Sequence, residues 1–157
     1  MVAKQESGEK LIASNKKALH DYFVVQKFEA GVALTGTEVK SLREGRVNFK
    51  DSYVTFKDGE AFLFGTNISP YSHGNRENHD PERTRKLLLH RREIDKLFGQ
   101  TKEKGLSVVP LRLYFKGGRV KAEIALVRGK KQYDKRETEK KREADRETAA
   151  AVKAHRS

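Results

Sequence analysis

Arg119-Val120-Lys121-Ala122-Glu123-Ile124-Ala125-Leu126-Val127-Arg128 runs directly into Gly129-Lys130-Lys131-Gln132-Tyr133-Asp134-Lys135-Arg136-Glu137. The first ten residues alternate as a strand does, with Val120, Ala122, Ile124 and Leu126 on one face and Lys121, Glu123 and Arg128 assigned to the other. After Arg128 the pattern stops. From Gly129 to Ser157 there is no Leu, Ile, Phe or Met, and the larger apolar residues are Tyr133 and Val152. Such a segment buries too little surface to offset its ordering entropy, about 1–2 kcal/mol per residue for the backbone. The chain therefore divides into a flexible start (1–14), a folded body (15–128) and a disordered basic C-terminal tail (129–157).

The remaining stretches give a mainly β body with short α elements. Tyr22 to Ala30 predicts a strand with Tyr22, Val24, Phe28 and Ala30 inward and Lys27 and Glu29 outward. Thr35-Gly36-Thr37-Glu38 has the spacing of a capping box, opening a helix from Thr37 to Glu44 that Gly45 ends. Asp58-Gly59 between two β-rich runs predicts a type I′ hairpin. His90 to Gly99 predicts a helix with Ile94, Leu97 and Phe98 as its apolar stripe. Leu106 to Phe115 predicts a strand with Val109, Leu111, Leu113 and Phe115 on one face, and Pro110 implies an edge or a bulge. Lys116-Gly117-Gly118-Arg119 turns into the last strand. Short strands with hairpin turns and flanking helices point to an OB-like antiparallel β-barrel, because closure removes exposed strand edges.

Charge narrows the function. The 157 residues carry 34 Lys/Arg against 22 Asp/Glu, a net +12. Body and tail are both basic, the footprint of a polyanion binder. The tail has no Trp, Phe or Leu face to insert in a bilayer, and no apolar run is long enough to span one. A monomeric cytoplasmic protein with no membrane partner is expected. There is no cysteine, which removes disulfides and thiolate chemistry. His73, His79 and Asp80 share one loop without the converging spacing of a metal site, and neither Glu29 nor Glu38 is brought to His20 by any spacing that suggests acid–base catalysis. No nucleotide fingerprint occurs. The reading is a non-enzymatic binder with no cofactor.

The constellation that remains is electrostatic. Arg83, Arg85 and Lys86 precede the triplet Leu87-Leu88-Leu89, Lys121 faces outward on the last strand, and Asn15, Lys16 and His20 lie before the first. Basic side chains fix phosphates while apolar or aromatic groups pack on bases. The stretch Arg83 to Leu89 reads equally as a core strand with a solvated start. In the tail, Lys135/Glu139 and Glu137/Lys141 are favourable helical pairs, so helix formation against a polyanion is expected.

These stretches resemble one family. Asn15-Lys16-Lys17-Ala18, Phe28-Glu29-Ala30-Gly31, Gly36-Thr37-Glu38-Val39-Lys40-Ser41-Leu42-Arg43, Asp58-Gly59-Glu60-Ala61-Phe62-Leu63, Arg83-Thr84-Arg85-Lys86-Leu87-Leu88-Leu89 and Gly129-Lys130-Lys131-Gln132-Tyr133-Asp134-Lys135-Arg136 look like small protein B, the bacterial SsrA-binding or tmRNA-binding family. The resemblance implies an OB-like barrel that binds the tRNA-like domain of tmRNA and delivers it to stalled ribosomes in trans-translation. It implies that the tail enters the decoding centre and the empty mRNA channel and becomes helical there. By position, the family's RNA contacts fall on Glu29, Leu88 and Lys121. Its ribosome-binding tail signature falls on Gly129, Lys130, Lys131, Tyr133, Asp134, Lys135 and Arg136, with Tyr133 where some members carry histidine. A structural ribosomal protein and an RNA-processing enzyme are the competing classes.

Overall fold

The structure is a computed structural model and describes residues 8–72, 78–103 and 105–130. Its elements run β1 (Glu9–Ser14), α1 (Lys16–Asp21), β2 (Tyr22–Val32), α2 (Gly36–Arg43), β3 (Val47–Asn48), β4 (Tyr53–Lys57), β5 (Glu60–Phe64), β6 (Asn67–Ile68), β7 (Arg85–Leu88), α3 (Arg91–Gln100), β8 (Leu106–Lys116) and β9 (Arg119–Gly129). Seven strands form one antiparallel sheet in the order β1-β8-β9-β2-β7-β5-β4, and β3 pairs with β6 separately. β4 packs against β8, but no hydrogen-bonded pairing joins them among the described residues. The expected barrel is thus a curled antiparallel sheet whose closure by pairing is not seen.

Local chemistry explains the turns. Lys57 pairs with Glu60 across Asp58 and Gly59, at φ 52 and 74, so both central residues take the positive φ of a type I′ turn. Gly45, at φ 71, ends α2. Glu38 reaches back to accept from the Thr35 N–H at 2.8 Å, which is the carboxylate half of the expected capping box.

Two bulges decide what faces what. In β9, Val120, Ala122, Ile124 and Leu126 all enter the main core with Ala30, Leu42, Leu63, Leu87, Leu97 and Leu113. In β2 the ladder skips Val25: Val24 pairs with Val127, and Gln26 with Leu126. Phe28 and Ala30 point inward as expected, but the extra residue turns Tyr22 and Val24 to the opposite face. In β8 the skip falls at Leu111, next to Pro110. Leu113 and Phe115 join the main core, whereas Val109 and Leu111 join Ala125, Val127 and Ala18 in a second cluster beneath α1. The single face expected for Val109, Leu111, Leu113 and Phe115 is therefore split in two.

Three further expectations are corrected. Glu9–Ser14, taken as part of a flexible start, is an edge strand paired to β8. Only one side of an edge strand meets the sheet, so it needs no continuous apolar pattern. Arg128 shares the parity of Leu126 rather than Lys121, and lies at the strand end with a guanidinium nitrogen 3.7 Å from Glu103. Phe98 is exposed on α3 beneath the Lys102 ammonium, while Ile94 and Leu97 are buried.

Candidate nucleic-acid interface

The outward face near the end of β2 brings together Glu29, Lys86, Leu88 and Lys121. Lys121 pairs with Gly31 from one side and Leu88 pairs with Gly31 from the other. The bare Gly31 lets Leu88 lie across it: a Cβ at position 31 would come within 3.2 Å of Leu88 Cβ. Leu88 is consequently held outward, 55% exposed on a short strand whose neighbour Leu87 is 1% exposed. The four residues line an open groove of 530 Å³ with His90, Arg91 and Glu93 at the start of α3. Lys121 and Leu88 continue into an adjoining groove with Arg119 and Gly118.

Glu29 is fixed within this groove. The Tyr114 hydroxyl donates to Glu29 Oε2 at 2.5 Å, and Lys116 Nζ donates to the same oxygen at 3.2 Å. The Tyr114 hydrogen bond, with Lys116 and Lys121 nearby, holds the Glu29 carboxyl below its ordinary pKa despite partial burial. Burial and the Glu29 carboxylate push the Tyr114 phenol upward, so it remains a donor. Tyr114 itself is 2% exposed, and the Arg112 guanidinium lies over its ring at 4.3 Å. Arg112 is held by Glu9 of β1 at 3.2 Å and by Glu123 of β9 at 3.4 Å. Lys86 lies 3.5 Å from Glu60 and is exposed. The groove thus offers cations, an apolar side chain and one oriented carboxylate acceptor.

The other predicted contacts lie elsewhere. Asn15 is buried at the N-terminus of α1, where its Oδ1 accepts from the Ala18 N–H at 3.2 Å and its Nδ2 donates to the Pro110 carbonyl at 2.8 Å. It is a helix cap rather than an RNA contact. Lys16 and His20 are exposed on α1, which packs beside the start of β2 and not at its Glu29 end. His20 and Glu29 therefore do not form a pair.

Arg85 is 0% exposed and cannot reach a phosphate. Its Nε donates to the buried Glu38 carboxylate at 2.7 Å, and its terminal nitrogens donate to the carbonyls of Thr66 at 2.7 Å and Pro81 at 3.1 Å. Arg83 binds the same carboxylate at 2.7 Å and the Ala33 carbonyl at 3.1 Å, leaving it half-buried. Burial alone would raise the Glu38 pKa, but donors from Arg83, the Thr35 N–H and Arg85 bring it down to about 2. Of the two readings of this stretch, the core strand applies to Arg85 and Leu87, and the groove to Lys86 and Leu88. Sequence reasoning takes Glu38 as a capping residue and sets it aside as an acid–base partner of His20; its spacing from the two arginines carries no signal, since the pairing is made across the fold.

His79 Nε2 donates to the Ile68 carbonyl at 2.7 Å, and its Nδ1 accepts from the Thr37 hydroxyl at 2.9 Å, which is a structural anchor for the loop. Among the described residues no group of three or more His, Cys, Asp or Glu is placed to hold a metal. No helix among them is long and apolar enough to cross a membrane. Gly129 still pairs with Tyr22 at the end of β9, and Lys130 Nζ sits 5.2 Å from the Phe23 ring centroid. Lys131, Tyr133, Asp134, Lys135, Arg136 and His73 lie outside the described residues.

A protein-family model, the SmpB protein, matches residues 12–154. The chain belongs to the SmpB family. It is 60% identical over 146 residues to the SsrA-binding protein of Geobacter sulfurreducens, covering 93% of this chain and 95% of that one. It is 62% identical over 145 residues to the SsrA-binding protein of Geotalea uraniireducens, with 92% and 96% covered. A solved chain described as "tmRNA-SmpB: a journey to the center of the bacterial ribosome" matches with a TM-score of 0.64 and 49% identity, covering 75% of this chain and 83% of that one. The SmpB match spans both the β body and the tail, so the basic segment after Arg128 is part of what the family shares.

Proposed function

We propose that this protein is the tmRNA-binding adaptor of trans-translation. It acts by binding and not by catalysis. An OB-like body, residues 15–128 with the edge strand Glu9–Ser14 added to its sheet, holds the tRNA-like domain of tmRNA through Glu29, Lys86, Leu88 and Lys121, and carries it to stalled ribosomes. The tail, 129–157, occupies the decoding centre and the empty mRNA channel through Gly129, Lys130, Lys131, Tyr133, Asp134, Lys135 and Arg136, and becomes helical there. The working unit is a cytoplasmic monomer.

One observation carries this reading: a chain of SmpB-family sequence gathers Glu29, Leu88 and Lys121, far apart in sequence, around one open groove. Lysines there meet phosphates, Leu88 packs on a base or sugar, and the Glu29 carboxylate accepts from base amino groups or a 2′-hydroxyl. Lys16 and His20 stand on α1, which covers Ala125 and Val127 at the other end of the sheet from Lys121, so their RNA contact would be a separate one.

The test is a binding comparison between the tRNA-like domain of tmRNA and an elongator tRNA across a salt series. Nonspecific phosphate contacts weaken alike for both RNAs, with a log–log slope of about −0.7 to −0.9 per contact. A preference for the tmRNA fragment that persists at high salt supports the reading. Parallel loss of both would reduce the protein to a general polyanion binder.

A further inference from the structure

Glu29 is an unusual choice for a surface that meets a polyanion, because a mobile carboxylate repels phosphate. Its usefulness depends on where its oxygens point. The side chain is 39% exposed, so solvent alone would leave it free to rotate. What restrains it comes from below. The Tyr114 hydroxyl meets Oε2 at 2.5 Å, and the Tyr114 ring is clamped in turn beneath Arg112, which Glu9 and Glu123 hold from either side. The sequence Glu9–Arg112–Tyr114–Glu29 thus runs from the edge strand β1 across β8 to the groove. Lys116 Nζ, a solvent-exposed donor, lies 3.2 Å from Oε2 and 3.4 Å from Oε1, so Oε2 has two partners and Oε1 has the longer Lys116 contact alone.

We infer that Tyr114 is a positioning residue for RNA discrimination: it fixes the Glu29 carboxylate so that Oε1 presents an acceptor to a base or ribose donor in the groove. Tyr114 does not touch the RNA. It is buried, and its donation to a charged acceptor is the stronger kind of hydrogen bond. A locked acceptor rewards an RNA that places an N–H or O–H at that point and penalises one that places a phosphate there. The expected consequence concerns preference between RNAs, with little change in the electrostatic attraction they share. This rests on the groove reading above.

The test uses the full chain carrying Tyr114→Phe, which keeps the ring beneath Arg112 and removes only the donor. Affinity for the tRNA-like domain of tmRNA should fall about tenfold, as loss of one hydrogen bond to a charged group implies. The preference over elongator tRNA should shrink by the same factor, and the salt slope should stay unchanged. In a Glu29→Ala background, Tyr114→Phe should have no further effect. Lys116→Met, at an exposed site that leaves the core untouched, removes the second donor and should weaken the preference in the same direction but less. It serves as the readout if Tyr114→Phe lowers the urea midpoint. Carbon-13 titration should find the Glu29 carboxyl pKa higher in Tyr114→Phe than in the parent chain.

The outcomes separate. If Glu29→Ala weakens binding while Tyr114→Phe and Lys116→Met leave the preference intact, the positioning role is overturned and the groove reading survives. If Tyr114→Phe weakens both RNAs equally, Tyr114 acts through general stability and the inference is again overturned. If Glu29→Ala has no effect, the groove reading itself fails.

Discussion

Arg85 Nε donates to Glu38 Oε2 at 2.7 Å, with the two side chains 1% and 0% exposed. Removing one partner leaves the other charged and desolvated, which costs about 3–5 kcal/mol. Glu38→Gln should lower stability by that order in urea denaturation. The pH dependence follows from the depressed pKa, about 2 against an ordinary 4.5. A carboxyl held below its unfolded value stabilises the fold above that value, and the contribution is lost as pH falls from about 4.5 through about 2. The urea midpoint should therefore drop across this window in the parent chain and drop less in Glu38→Gln. Equal slopes would exclude Glu38 as the source.

Asn15 caps α1 and ties it to the Pro110 carbonyl. Asn15→Ala should cost about 1–2 kcal/mol of stability. RNA affinity, measured well below the melting temperature, should be unchanged. A selective loss of affinity at full stability would return Asn15 to the interface.

Leu88 presents the opposite case. It is exposed beside a buried Leu87, so Leu88→Ala should alter stability by no more than about 0.5 kcal/mol. Binding of the tRNA-like domain should weaken by about 1–2 kcal/mol, the scale of an interface anchor. Gly31→Ala, which pushes against Leu88 from beneath, should weaken binding in the same direction. Thermal melts and RNA titration on both variants check the pair.

Ending the chain after Gly129 removes the basic tail but keeps the β9 pairing to Tyr22. Affinity for the tmRNA fragment at high salt should remain close to that of the full chain, with a shallower salt dependence where tail cations no longer contribute. Peptide tagging on stalled ribosomes should be abolished. A truncated protein that still supports tagging would remove the tail from the mechanism.

What the sequence made legible was local. The core face of β9, the Asp58-Gly59 hairpin and the three-residue spacing of Thr35 and Glu38 each depend on neighbours in the chain, and each is found. The outward placement of Glu29 and Lys121 was equally readable, because no bulge lies between them and the core residues that set their phase. The misreadings arise where phase or partners come from elsewhere. Val109 and Leu111 change clusters at a bulge. Glu9–Ser14 forms a strand only because β8 offers its edge. Arg85 looked like surface because arginine usually is, yet a carboxylate 47 residues earlier and two loop carbonyls satisfy it inside.

The bulge at Val25 has a genetic consequence. Val25 stands outside the β2 ladder and is 52% exposed, so many side chains should be accepted there. Loss of the residue should be accepted as well. Val24 already pairs with Val127 and Gln26 with Leu126, so one amino acid fewer would leave these as consecutive rungs of an unbroken ladder, with Tyr22 and Val24 still turned from the main core. Missense changes at this position and an in-frame three-nucleotide deletion alike should pass almost unnoticed in a population of cells.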